Sequence, residues 1–348
     1  MIGDIDKKIV GLLLAFPDEI LRILCEEWLT TKDVFHLDTA VCNHFHLQRW
    51  KEVMHQIISP KYSCITSIRG HSQMVWRVMQ LQDGRLASAS ADKSVIIWNT
   101  KDQEEHQLVH AGSISCMIQS ADGRIITGSP KGICIWNNTT YKLEKVLMEN
   151  SDPGVRSLLQ LRDGRLATGS TNSLVRIWNL NTFECEKTLV GPSSNAVFSF
   201  LQLWDGRLVA GHLNGKIKFW STSTWVCETT LEVCDSCRSL IQVNSNKLVV
   251  ACGTRLEAWD ISSYQSIRSI DFRKFVTSLC KLDNRRLVVG VGRSIIIWNW
   301  ETYVVERICD GHNSLVLSVI LLKNGLIASG SWDTSIKLWK PIVEINRK

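Results

Sequence analysis

One segment recurs along the chain and constrains its fold more than any other feature. LASASADKSVIIW (86–98) returns near the C-terminus as IASGSWDTSIKLW (327–339), and five looser copies lie between the two. All seven copies end in tryptophan, and successive tryptophans are 38 to 42 residues apart: Trp98, Trp136, Trp178, Trp220, Trp259, Trp298 and Trp339. A unit of about 40 residues cannot bury its apolar faces alone, so the copies must stack on one another.

Each repeat predicts four short strands. The small and apolar run LASAS suits a strand that is covered on both faces, and Val95 to Trp98 are mostly β-branched, as is typical of a further strand. Upstream, Val75 to Arg85 contains the hairpin pair Asp83-Gly84, and a more polar segment follows each tryptophan. Four strands per repeat at this period are typical of a propeller blade. The sequence therefore predicts a mainly β protein, a seven-bladed β-propeller over residues 61–348.

The two ends of the propeller segment predict how the ring closes. After Trp339 only nine residues remain, too few for a convincing outer strand of the last blade. KYSCITSIRGH (61–71), ahead of the first blade, aligns with ETYVVERICDGH (301–312), which supplies the outer strand of blade six. We therefore expect residues 62–68 to complete blade seven. Closure of the ring removes the free sheet edges that invite aggregation.

The first and last repeats resemble the WD-repeat family. The family's hydrogen-bonded tetrad of histidine, serine, aspartate and tryptophan is matched twice: by His71, Ser88, Asp92 and Trp98, and by His312, Ser329, Asp333 and Trp339. The resemblance implies that these tetrads are structural. The alternative, a catalytic triad of the same residue types, is disfavoured because the set recurs with the blade period and is incomplete in blades two to six.

Residues 1–60 differ from the rest of the chain, with no strand pattern. After a tail at 1–10, residues 11–58 predict a small helical module, in which Pro17 suits the first position of a helix. Apolar residues at Ile20, Leu21 and Leu24 then form a helical stripe. Three short helices are marginal alone, so the module needs a supporting surface.

This module resembles an F-box over AFPDEILRILCEEWLTTKDVFHLDTAVCNHF (15–45). Asn43-His44-Phe45 stands where the family has Arg-x-Trp, so the third helix of the module lacks the family's usual packing residues. The resemblance implies docking on the Skp-family adaptor of a cullin–RING ubiquitin ligase. The residues expected to make that contact are Phe16, Pro17, Ile20, Leu21, Leu24, Leu29, Val34, Leu37, Val41 and Cys42. The alternative is a helical cap that binds no adaptor.

The WD-repeat resemblance also implies where a partner binds, namely over the central opening. The residue after the first valine of each blade is a frequent contact in the family, and in blades one to seven it is Trp76, Ser115, Arg156, Phe198, Arg238, Thr277 and Leu317. We expect Trp76, Arg156, Phe198 and Arg238, with Trp332 beside Trp76, to bind the client. Aromatic rings with arginines are typical of recognition hot spots, and paired arginines suit a phosphate or carboxylate. The alternative is that some of these side chains pack sideways between blades.

Composition narrows the remaining classes of function. The net charge of +6 is spread without the stacked aromatics of a nucleic-acid channel, and no apolar run is long enough to span a membrane. Scattered cysteines favour reduced thiols in the cytoplasm or nucleus. Cys234-Asp-Ser-Cys237 lacks the second pair that a zinc site needs, so we expect a loop between blades. We expect no catalytic residue, metal or cofactor.

These observations favour a substrate-recruiting receptor of a Skp/cullin/F-box ubiquitin ligase. The propeller would bind a protein client that offers an acidic or phosphorylated residue, and the F-box would bind the adaptor. The alternative is a WD-repeat scaffold for protein assembly outside any ligase. A propeller enzyme is disfavoured because the sequence shows no paired carboxylates, phosphate-binding loop or metal constellation.

Overall fold

The computed structural model of the protein describes residues 61–99, 105–147, 154–190 and 195–342. Across these ranges the chain forms strands, turns and loops. No helix in the described ranges is long and apolar enough to cross a membrane. The tail at 1–10 and the helical module expected at 11–58 lie outside the described residues, and so do the residues expected to contact the adaptor.

In the described residues, seven four-stranded antiparallel sheets form the blades of a propeller. Within each sheet the four strands are ordered from the central channel outwards to the rim. The innermost strands are β2 (Val75–Gln80), β6 (Cys116–Gln119), β10 (Val155–Gln160), β14 (Val197–Gln202), β18 (Cys237–Asn244), β22 (Val276–Lys281) and β26 (Val316–Leu321). The second strands are β3 (Leu86–Ser90), β7 (Ile125–Ser129), β11 (Leu166–Ser170), β15 (Leu208–His212), β19 (Lys247–Cys252), β23 (Arg286–Val291) and β27 (Ile327–Ser331). The third strands are β4 (Ser94–Trp98), β8 (Gly132–Trp136), β12 (Val175–Trp178), β16 (Lys216–Trp220), β20 (Arg255–Asp260), β24 (Ser294–Asn299) and β28 (Ile336–Ile342). The outer strands are β5 (Glu105–Val109), β9 (Leu143–Leu147), β13 (Cys185–Leu189), β17 (Cys227–Glu232), β21 (Ser266–Asp271), β25 (Val304–Asp310) and β1 (Lys61–Ile68).

The apolar core lies between the blades. Each buried cluster joins two neighbouring blades, as where Trp136 of blade two packs with Val95 and Ile97 of blade one. The cluster between blades seven and one likewise joins Leu338 to Trp98. Burying a large apolar side chain stabilises a fold by roughly 2 to 3 kcal/mol. The blades therefore depend on one another for stability, as stacked repeats do.

The ring closes through its N-terminal strand. β1 pairs antiparallel with β28, so that Ile68 lies opposite Ile336 and Cys64 opposite Trp339. The side chain of Tyr62 packs against the cluster between blades six and seven that contains Trp339. Burial raises the pKa of the Tyr62 phenol. The first described strand therefore completes the last blade.

The two faces of the propeller differ in how their charges are paired. The turn face carries the tight turns that follow the innermost strands, and the loop face, opposite to it, carries His71 and His312. On the turn face, aspartate–arginine pairs lie 2.5 to 2.7 Å apart in five blades: Asp83–Arg85, Asp122–Arg124, Asp163–Arg165, Asp205–Arg207 and Asp283–Arg286. The guanidinium of Arg165 also lies 4.7 Å from the ring centroid of Trp225 in the next blade. The arginines of these pairs are thus neutralised by neighbouring aspartates.

Candidate binding site at the mouth of the central channel

In six of the seven blades, a β-bulge near the start of the innermost strand directs one side chain towards the channel. In blade one the pairing of β2 with β3 shifts register between Val75 and Arg77, which leaves Trp76 as the extra residue. A bulge of this kind re-aims the side chain of the extra residue. Equivalent shifts place the extra residue at Arg156, Phe198, Arg238, Thr277 and Leu317.

The bulge residues line a narrow cavity at the loop-face end of the channel, which we call the channel mouth. Its lining residues are Trp76, Arg77, Ser115, Arg156, Phe198, Arg238, Thr277 and Leu317. All seven positions picked out in the sequence therefore converge on one cavity, together with Arg77. The cavity volume is about 40 Å³, far below the 300 to 1,000 Å³ or so of a typical small-molecule pocket. The channel mouth suits a few protruding atoms of a larger partner.

Three guanidinium groups lie at the channel mouth, on Arg77, Arg156 and Arg238. Within the described part of the chain, none of the three forms an ion pair with a carboxylate. The buried Nε atom of Arg238 has no hydrogen-bond acceptor there either. Burial lowers the pKa of Arg77 and also that of Arg238. Because a cation in a partly buried site is costly without an anion, the channel mouth favours a negatively charged group.

Aromatic rings hold the guanidinium of Arg238. Its Cζ atom lies 5.7 Å from the ring centroid of Phe198 and 5.7 Å from that of Phe275. Phe275 is 49% exposed, so part of its ring remains available to a partner. Such cation–π contacts orient a cation without neutralising its charge.

Three of the seven positions picked out in the sequence pack between blades instead of facing a partner. The hydroxyl of Ser115 donates a hydrogen bond of 2.6 Å to the carbonyl of Val155 in blade three. The hydroxyl of Thr277 donates a hydrogen bond of 2.6 Å to the carbonyl of Val316 in blade seven. Leu317 is buried. The sideways packing considered from the sequence thus applies to these three residues.

Trp332 lies on the loop face outside the lining of the channel mouth. Its side chain is 48% exposed, and its indole N–H contacts the sulfur of Met74, two residues before Trp76. Trp332 therefore extends the aromatic surface outwards from Trp76.

Sequence reasoning missed Arg77 and Phe275. The strand position of Arg77 holds a small residue in the other six blades: Cys116, Ser157, Ser199, Ser239, Ser278 and Ser318. Arg77 is the exception, and alignment of the repeats could have revealed it. Phe275 lies in a loop, where the repeat carries no signal.

The two tetrads brace blades one and seven beside the channel mouth. Nδ1 of His71 lies 2.8 Å from Asp92 and Nε2 lies 2.7 Å from Ser88, whose oxygen accepts a hydrogen bond of 2.8 Å from Trp98. The set of His312, Ser329, Asp333 and Trp339 has the same three distances. Ser88 and Ser329 are fully buried, so substrate cannot reach their hydroxyl groups. The geometry supports a structural role for the tetrads.

The acid of the second tetrad is held in its charged form. Burial alone would raise the pKa of Asp333, but hydrogen bonds from the Ser335 hydroxyl and the Asn313 amide, together with His312, lower it to about 2. Burial also lowers the pKa of His312. A neutral imidazole hydrogen-bonded to a carboxylate is therefore the form that this site favours.

Comparison with known proteins agrees with this architecture. The family model described as "WD domain, G-beta repeat" matches residues 62–99 and 304–340, the two segments that contain the tetrads. The crystal structure of the WD40 β-propeller domain of Doa1 superposes with a TM-score of 0.71 at 20% identity, covering 81% of this chain and 97% of that one. The intraflagellar transport protein 122 homolog of Mus musculus is 30% identical over 113 residues, which are 32% of this chain and 9% of that protein.

The chain therefore contains two segments that match the WD-repeat model, and they lie within a propeller whose described residues form seven blades. This fold is suited to protein–protein interaction, and WD40 propellers are typically non-enzymatic scaffolds. The alignment with the transport protein spans about a tenth of that relative's length, so it carries no whole-protein activity over to this chain.

Proposed function

We propose that this protein is a substrate-recruiting receptor of a Skp/cullin/F-box ubiquitin ligase, with the client bound at the channel mouth. The observation that carries the client-binding half is the convergence of Arg77, Arg156 and Arg238 without a carboxylate partner in the described part. On the turn face, by contrast, the arginine that follows each Asp-Gly turn forms an ion pair with the aspartate of that turn. The free charge at the channel mouth is therefore available to a client.

The expected client feature follows from the chemistry of the channel mouth. A guanidinium binds a phosphate or carboxylate through two charge-assisted hydrogen bonds, and Phe198 and Trp76 offer apolar surface beside the arginines. The client should present an acidic or phosphorylated residue next to a hydrophobic one. A short exposed segment of a protein fits this narrow cavity better than a folded surface does.

The adaptor-binding half rests on the F-box resemblance of residues 15–45. Only residues 59 and 60 separate the expected module at 11–58 from β1 at Lys61. Because β1 is itself part of blade seven, the short connection would couple adaptor and client closely. That coupling is what a ligase receptor needs to place a client lysine near the ubiquitin-transfer site.

Affinity purification followed by mass spectrometry tests both halves. Wild-type protein should recover a Skp-family adaptor and a cullin together with a set of clients. The variant Pro17→Ala/Leu21→Ala should lose the adaptor and cullin, keep its clients and unfold normally on heating. Unchanged adaptor recovery by a folded variant would refute the F-box assignment.

A second candidate function is a WD-repeat scaffold outside any ligase. Two observations favour it: the propeller closes with a strand that begins at Lys61, after the F-box-like segment, and the transport protein shares similarity over 113 residues. For a scaffold, deletion of residues 1–58 should leave the partner set unchanged, and wild-type protein should recover no adaptor. For a ligase receptor, the deletion should remove the adaptor and cullin alone.

A further inference from the structure

Blade five replaces the tetrad with a different cluster. Its tryptophan, Trp259, donates its indole hydrogen bond of 3.0 Å to the carboxylate of Glu257 instead of to a serine. Beside Glu257 lie two cysteines, Cys234 in the loop before β18 and Cys252 at the end of β19. The two sulfur atoms and a Glu257 oxygen all lie within 4.8 Å of one another.

The distance between the sulfur atoms of Cys234 and Cys252 fits two ligands of one metal ion better than it fits a disulfide bond. The Sγ atoms of Cys234 and Cys252 are 3.4 Å apart, well beyond the S–S bond of about 2.05 Å in a disulfide. Two sulfurs on a tetrahedral zinc ion, each with a Zn–S distance of about 2.3 Å, lie roughly 3.8 Å apart. The pair therefore needs a movement of only a few tenths of an ångström to share one ion.

The carboxylate supports the same conclusion. Glu257 is 5% exposed, and among the described residues it forms no ion pair with a cationic side chain. Its basic neighbour on the strand, Arg255, interacts with Asp271 instead, at 3.6 Å. A buried carboxylate is costly without a compensating cation. The bond from Trp259 orients Glu257 as outer hydrogen-bond partners orient metal ligands.

We propose that Cys234, Cys252 and Glu257 form a binding site for a thiophilic divalent cation, with zinc as the physiological occupant. Two thiolates and one carboxylate together carry more negative charge than is needed to neutralise a divalent ion. Sulfur ligands also select zinc over magnesium or calcium. Three protein ligands leave one tetrahedral position for water, and Cys234 is exposed to solvent. Cys237, the other cysteine of the CxxC pair, contacts Ser199 at 3.7 Å and is not among the ligands.

Binding releases protons. Each thiol loses one proton as its S–H bond is replaced by a bond to the ion, and those protons pass to solvent.

Cadmium titration of the purified full-length protein under a non-chelating reductant tests the site. Cadmium binds thiolates as zinc does and adds an ultraviolet sulfur-to-metal absorption. Wild type should bind one equivalent with the absorption of two thiolates, and zinc should displace it. Cys234→Ser should halve the absorption and weaken binding at least about 100-fold, while Glu257→Gln should keep the absorption and weaken binding at least about tenfold.

The matched control is Cys227→Ser, which removes another exposed cysteine of the propeller and should bind like wild type. Thermal unfolding checks that each variant is folded, and Cys252→Ala gives a second test if Cys234→Ser is unstable. Absence of cadmium binding in wild type, or equal binding by Cys234→Ser and Cys227→Ser, would overturn the proposal. Isolation of a Cys234–Cys252 disulfide from protein purified without oxidant would overturn it as well.

Discussion

The guanidinium of Arg238 lies 5.7 Å from the ring centroid of Phe198, although the two residues begin neighbouring blades. It lies equally far from the ring of Phe275, in the loop before blade six. One cation thus bridges three blades without an ion pair to a carboxylate among the described residues, and Asp235 acts on it only at longer range. The contact orients the guanidinium without neutralising its charge, which leaves the terminal N–H donors for an incoming anion.

Replacement of Arg77 should stabilise the propeller while weakening client binding. Arg77→Ser installs the residue type found at this position in most other blades and removes a partly buried cation without an acid. We expect the free energy of unfolding to rise by about 1 kcal/mol, measured by chemical denaturation, and client recovery to fall. Arg207→Ser, which breaks the pair with Asp205, should lower the same free energy. A destabilised Arg77→Ser protein would show that Arg77 serves the fold.

The complete tetrads should contribute more stability than the partial ones. Ser329→Ala removes the partner of both His312 and Trp339, so we expect a loss of about 2 to 3 kcal/mol in the free energy of unfolding. In blade three, the hydroxyl of Thr168 accepts a side-chain hydrogen bond from Trp178 and no histidine takes part. Thr168→Val should therefore cost only about 1 kcal/mol. Equal losses of unfolding free energy in the two variants would contradict a larger contribution from the complete tetrads.

Two buried histidines should make the propeller sensitive to mild acid. Burial lowers the pKa of His110 and of His212 to about 4, below the value of about 6.5 in an unfolded chain. The unfolded state therefore binds more protons between these values, and stability present above pH 6.5 is lost as the pH falls towards 4. The expected loss is on the order of 2 kcal/mol per histidine.

Urea denaturation at a series of pH values measures this loss. The double variant His110→Gln/His212→Gln should flatten the decline between pH 6.5 and 4. His106→Gln, at an exposed position, should leave it unchanged. A separate decline is expected between pH 4 and 2, where Asp333 becomes protonated. An identical pH profile for wild type and the double variant would exclude the histidines as its cause.

Removal of the closing strand should expose a sheet edge. A protein that begins at Gly70 lacks β1 and leaves β28 unpaired on its outer side, so we expect aggregation or a much lower melting temperature. A protein that begins at Pro60 keeps β1 and should unfold cooperatively near the wild-type temperature. Light scattering during thermal unfolding compares the two. A soluble, cooperative protein without β1 would mean that β28 needs no partner.

The repeat explains which parts of the structure the sequence could predict. The spacing of the tryptophans predicted the seven blades, and the match between residues 61–71 and 301–312 predicted the strand that closes the ring. The repeat also located the residues at the channel mouth, because each lies at a constant distance in sequence from the next turn. Alignment of the repeats marks Arg77 as unusual, but only the structure shows that it lies at the channel mouth, since a bulge changes which side its neighbours face.

The cluster in blade five marks the limit of sequence reasoning. Cys234 and Cys237 are close in sequence and suggested a pair, but the partners of Cys234 in space are Cys252 and Glu257 on two other strands. Only the antiparallel pairing of β19 with β20 brings these residues together. A search for CxxC motifs therefore pairs Cys234 with Cys237, whereas its neighbour in space is Cys252.

Client capture by the double variant Arg156→Glu/Arg238→Glu tests the central claim most directly. The matched control is Lys142→Glu/Lys187→Glu, which makes the same charge change at two exposed positions of the rim, just before β9 and in β13. Wild type and both variants should recover equal amounts of adaptor, and Arg156→Lys/Arg238→Lys should restore client binding only in part, because lysine lacks the guanidinium fork. We predict that the arginine-to-glutamate variant loses its clients while the control keeps them; equal client recovery by the two variants would contradict a receptor site at the channel mouth.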